Sequence, residues 1–87
     1  MKWHVAFTKQ ARDFIRKQNL SPEVFNLIKL SIKKLQGESV SVDIKKMKGA
    51  WGDFYRIRKG KWRVIASFDF NKQSVFIVAV DWRGNIY

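Results

Sequence analysis

Trp3, Val5 and Phe7 alternate with Lys2, His4 and Ala6. A period of two puts the three large apolar groups on one side of an extended chain, so residues 2–7 predict a short strand. The period then changes. Ala11, Phe14 and Ile15 recur at spacings of three and four, with Lys9, Arg12, Arg16 and Lys17 left to face water. That is the apolar stripe of a helix, capped by Thr8 and running to about Lys17 or Gln18. Ser21-Pro22-Glu23 marks a second start: a capping serine, a proline in the first turn, and an acid at the positive end of the helix dipole. Val24, Phe25, Leu27, Ile28, Ile32 and Leu35 follow at helical spacing, and Gly37 supplies the stop. With a tight joint at Asn19-Leu20, the two segments predict a helical hairpin.

Beyond Gly37 the periodicity fades. Glu38 to Asp53 reads as irregular, and Ser39-Val40-Ser41-Val42 fits either a brief extended piece or a turn of helix. Alternation resumes in three successive segments, about 53–59, 62–69 and 74–82, with turns at Lys59-Gly60-Lys61 and Asn71-Lys72-Gln73. Ser74 to Val80 is apolar on both faces, which predicts a central strand covered on both sides. The tail from Asp81 to Tyr87 is expected to leave the sheet at Gly84. Strand, two helices, then three strands predict an α+β fold: an antiparallel-rich sheet, β-α-α-β-β-β, with the two N-terminal helices packed on one face. At 87 residues, with no repeat or linker, the chain reads as a single domain, 1–87.

Composition narrows the function. An apolar content of 46% suffices for a packed domain. The absence of cysteine excludes disulfides and thiolate metal sites and fits a reducing cytoplasm. No apolar run reaches the roughly 18 residues of a membrane helix, and Met1-Lys2-Trp3-His4 lacks the apolar region of a signal peptide. A cytoplasmic protein without a membrane partner is therefore expected. The outlier is the net charge of +11. Self-repulsion on this scale costs stability and points to an anionic partner. Eight of the eighteen basic residues fall between Lys45 and Arg63, against one acid, Asp53. Alternation puts Arg56 and Arg58 on the same side of one strand, with Arg63 on its hairpin partner, while Tyr55 and Ile57 point toward the helices. The polyanion that best suits such a surface is RNA, with Lys45, Lys46, Lys48, Lys59 and Lys61 as further RNA contacts.

Candidate chemistry is sparse. One histidine and scattered acids do not build a metal site, no glycine loop cradles a phosphate, and no serine or cysteine nucleophile has a histidine nearby. No cofactor and no metal are expected. His4 reads as a structural or surface group, and Trp62 as core. RNA cleavage by the adjacent 2′-hydroxyl needs a base, positive charge at the phosphorane, and an acid for the departing 5′-oxygen. Guanidiniums suit the second task because they donate bidentate bonds to phosphate and stay charged. Arg56, Arg58, Arg63 and Arg83 converge on one phosphate if the sheet face is concave; otherwise they form a solvated strand face. Tyr87 is the one unusual acid–base group, since nearby arginines favour its phenolate; the plain alternative is a terminal aromatic that packs or frays.

Lys48-Gly49, then Tyr55-Arg56-Ile57-Arg58, then Lys61-Trp62-Arg63-Val64-Ile65, then Trp82-Arg83-Gly84-Asn85-Ile86-Tyr87 form an ordered series. This series resembles the RelE/ParE superfamily of toxins from type II toxin–antitoxin systems, over nearly the whole chain. The resemblance implies a small curved sheet with two N-terminal helices on one side. In the RelE branch it implies cleavage of messenger RNA in the ribosomal A site by 2′-hydroxyl attack, leaving a 2′,3′-cyclic phosphate and a 5′-hydroxyl. Carried over by motif, the catalytic set is Arg56, Arg58, Arg63, Arg83 and Tyr87. The best-known members have lysines where Arg56 and Arg58 stand; arginine is a poor base, which leaves Tyr87 in that role. The implied partners are messenger RNA, ribosomal RNA and an acidic cognate antitoxin. The ParE branch, which poisons DNA gyrase, generally lacks this arginine and tyrosine set and is the alternative.

Overall fold

The structure is a computed structural model and describes residues 2–82. Strand β1 (His4–Phe7) leads into helices α1 (Lys9–Lys17) and α2 (Ser21–Leu35). Strand β2 (Asp43–Lys46) and a 3-10 turn (Gly49–Trp51) follow, then β3 (Tyr55–Lys59), β4 (Trp62–Asp69) and β5 (Ser74–Trp82). The five strands form one sheet in the order β1-β5-β4-β3-β2. The first and last strands of the chain, β1 and β5, run parallel, and every other pair is antiparallel. This is the expected α+β architecture with both helices against one face of a curved sheet.

One row across that face runs Ile44–Ile57–Val64–Val80 and the next runs Tyr55–Ala66–Ile77–Phe7. Ala11 and Ile15 of α1, and Val24, Leu27, Ile28 and Ile32 of α2, join them in the core with Trp62 and Val75. Ser31, wholly buried in α2, donates its hydroxyl to the Leu27 carbonyl at 2.8 Å, so no polar atom is stranded there.

The start of α1 is welded to the sheet. Strand β1 pairs only as far as Phe7 with Ile77, which leaves the edge of β5 bare beyond that point. The register slips between Ile65 and Ala66, whose partners are Ala79 and Ile77, so Val78 is an extra residue on β5. Thr8 and Gln10 take up the backbone groups this exposes. The Thr8 hydroxyl donates to the Val78 carbonyl at 2.6 Å while accepting from the Ala11 amide, and the Gln10 amide group bonds both the carbonyl and the N–H of Val80. Thr8 is thus the predicted helix cap and a sheet contact at once.

Three expectations change. Helix α2 begins at Ser21 itself, with Leu20 in the capping position and no side-chain cap bond. Leu20 packs against the core, and Asn19 takes a positive φ of 55° to make the joint, so burial rather than capping chemistry fixes the start. The segment read as irregular contains β2, a fifth strand. Only Ile44 of its four residues turns inward, too short a pattern to show a period of two. The last strand is not central: β4 holds that place, buried from Trp62 to Ala66. Strand β5 lies between β1 and β4 but is not covered on both sides, since Phe76 on the face away from the helices is 42% exposed.

Candidate nucleic-acid interface

Alternation along β3 sends Tyr55 and Ile57 to the helices and Arg56 and Arg58 to the opposite face. The pairing then sets what stands beside them. One row across that far face reads Asp43, Arg58, Arg63, Asp81, and the next reads Lys45, Arg56, Ile65, Ala79. Strands lie about 4.8 Å apart, so the first row carries two guanidiniums between two carboxylates over roughly 14 Å.

These arginines are sunk into the sheet. Arg63 is 7% exposed and the Arg56 side chain 16%. Ile65, the row neighbour of Arg56, is only 1% exposed and gives this face an apolar floor. The Nε groups of Arg56 and Arg58 are buried and make no hydrogen bond among the described residues. Buried donors of this kind carry an unmet preference for an acceptor. One Nη2 of Arg56 pairs with Asp43 Oδ1 at 3.5 Å, across the diagonal from its own strand partner Lys45. Cations held over an apolar floor have the donor geometry that suits phosphate oxygens.

The lysines divide. Lys45, Lys46 and Lys48 join Met47 and Arg56 around a shallow groove of about 290 Å³ at the β2 edge. Lys59 and Lys61 stand exposed at the tip of the β3–β4 hairpin, and Lys59 shares the helix-side row of Trp62. They do not join the arginine rows. His4 is exposed at the opposite end of the far face, level with Ser74, and seven positions separate Ser74 from Asp81. At about 3.3 Å per residue, that is roughly 20 Å from the arginines. Trp62 is core, as expected, and Trp82 packs edge-on against Phe14. Arg83 and Tyr87 lie outside the described residues.

Two neighbours of the arginines escaped sequence reasoning, Asp43 and Asp81. Asp43 sits on the unrecognised strand β2. Asp81 lies past the extra residue Val78, where counting by twos along β5 fails. Lys45, Arg56, Arg58 and Arg63 therefore face two carboxylates, not an unrelieved field of positive charge.

No family model and no curated protein sequence matches the chain. Solved structures do. The toxin–antitoxin complex RelBE2 from Mycobacterium tuberculosis matches with a TM-score of 0.67 and 25% identity, over 95% of this chain and 100% of that one. The archaeal RelE–RelB complex from Pyrococcus horikoshii matches with a TM-score of 0.59 and 27% identity, over 99% of this chain and 100% of that one. The YoeB dimer from Staphylococcus aureus shares the fold, with a TM-score of 0.70 at 16% identity, over 95% of this chain and 99% of that one. The two-layer fold, the ordered series of basic motifs and these neighbours together identify the chain as a member of the RelE/ParE superfamily.

Proposed function

We propose that this protein is the toxin of a type II toxin–antitoxin pair and acts as a ribosome-dependent messenger RNA endoribonuclease. The observation that carries this reading is the meeting of Arg56, Arg58 and Arg63 from two strands on the face turned from the helices. Their guanidiniums clamp the scissile phosphate and stabilise the charge that grows on its oxygens as the 2′-hydroxyl attacks. The lysine-lined groove at the β2 edge holds an adjoining phosphate. Arg83 and Tyr87 complete the set by motif resemblance. The products are a 2′,3′-cyclic phosphate and a 5′-hydroxyl.

Ribosome dependence follows from what such a site lacks. Arginines neither accept nor release a proton readily, so the rate depends on a substrate already held in an attack-ready pose. Messenger RNA in the ribosomal A site is so held, and ribosomal RNA supplies further phosphates for the basic surface. An acidic cognate antitoxin neutralises the toxin; the antitoxins in the two matched toxin–antitoxin complexes support a protein partner.

The test is induced expression followed by mapping of messenger ends. Wild type produces cuts in translated regions, and a protein with Arg58 and Arg63 both changed to Ala does not. Intact messengers beside inhibited DNA supercoiling overturn the reading in favour of a gyrase poison.

A further inference from the structure

The proposed cleavage needs a group to take the 2′-hydroxyl proton, and a guanidinium cannot. On the far face the described residues offer few acceptors. His4 stands at the wrong end of the sheet. Asp81 is partly buried and its Oδ1 already accepts the Trp82 N–H at 2.7 Å. Asp43 differs. Its side chain is 56% exposed, and its one polar contact among the described residues is the 3.5 Å pair with Arg56. It stands directly opposite Arg58, and β2 is an edge strand of the sheet, so no strand among the described residues pairs with its outer side.

We propose that Asp43 is the catalytic base, taking the 2′-hydroxyl proton of the nucleotide whose phosphate rests on Arg58 and Arg63. The assignment rests on the nuclease reading and gives the proton-accepting role to Asp43 in place of Tyr87. A phosphate on Arg58 lies about one strand spacing from Asp43, within reach of the ribose attached to it. The charged groups that face Asp43 are Arg58 across the ladder, Arg56 on the diagonal and Lys45 two positions along its own strand. All three are cations beside the place the phosphate takes, and the exposed side of the carboxylate is left to the ribose.

The step balances. Asp43 takes the proton, the 2′-oxygen bonds to phosphorus, and the bond from phosphorus to the 5′-oxygen breaks. That oxygen leaves with a proton from water, and Asp43 returns its own proton to water.

The test is single-turnover cleavage on ribosomes programmed with a defined messenger, over pH 5 to 9, alongside ribosome binding and melting temperature. Asp43→Asn, nearly isosteric and exposed, is expected to bind as tightly as wild type or more so, since a negative charge is gone. Its cleavage falls by about 100-fold or more. Asp43→Glu recovers part of the rate. Undiminished cutting by Asp43→Asn overturns the inference, as does a wild-type rate that climbs toward alkaline pH and loses that climb in Tyr87→Phe. Wild type that leaves the messenger intact overturns the nuclease reading itself, and the inference with it.

Discussion

An arginine half-sunk in a sheet has fewer places to put its donors than one in water. Arg56 and Arg58 present this condition, with buried Nε groups and little freedom to swing away. Such fixed donors cost little further ordering when a phosphate arrives. Their arrangement has a stability cost, because Arg58 and Arg63 are direct cross-strand partners with like charge, a pairing that destabilises sheets. Two predictions belong at this scale. Arg63→Ala lowers cleavage by about 100- to 1000-fold, the loss typical of a charge-stabilising donor, measured by single-turnover kinetics. Arg58→Met abolishes most cleavage yet leaves thermal stability unchanged or higher by up to ~1 kcal/mol, read from a melting curve. The positions of these arginines were legible because alternation along β3 is local. Their carboxylate neighbours were not, because cross-strand partners depend on pairing that a single strand does not encode.

Short elements decide where the rest of the fold departs from its pattern. Helix α1 is held by Thr8 and Gln10, whose side chains finish the edge of β5 where β1 stops. Gln10→Ala removes two hydrogen bonds to Val80 and is expected to cost about 1–3 kcal/mol, lowering the melting temperature by several degrees. An unchanged melting temperature contradicts this account of the helix anchor. Long periodic segments revealed themselves: both helices, and the strands β4 and β5, lie where apolar spacing put them. Strand β2 hid because four residues with one inward side chain, Ile44, carry almost no period. The apolar run of β5 overstated its burial. Phe76 remains exposed on the far face even though β5 has a strand on either side. Leu20 shows the same competition at a helix start, where packing against the core displaced the expected serine cap.

At the scale of the molecule, one layer of helices and one sheet divide the work. The helices and the inner sheet face supply the core, and the outer face is left to present charge. The net charge of +11 is spread over both layers, since Lys9, Arg12, Arg16 and Lys17 on α1 are exposed as well. Binding to RNA should therefore weaken steeply with salt. Changing Lys45, Lys46 and Lys48 together to Gln is expected to reduce the slope of log affinity against log salt by about 2, as loss of three phosphate contacts to a single strand requires. A slope identical to wild type removes the groove from the interface. No helix among the described residues is long and apolar enough to cross a membrane.

Whether the arginines of β3 and β4 act on a phosphate is read from the chemistry of cleavage on purified programmed ribosomes. Wild type is predicted to cut the A-site codon and leave a 2′,3′-cyclic phosphate, while the protein with Arg58 and Arg63 both changed to Ala binds the same ribosomes and leaves the messenger whole. Equal cutting by the two proteins contradicts the account.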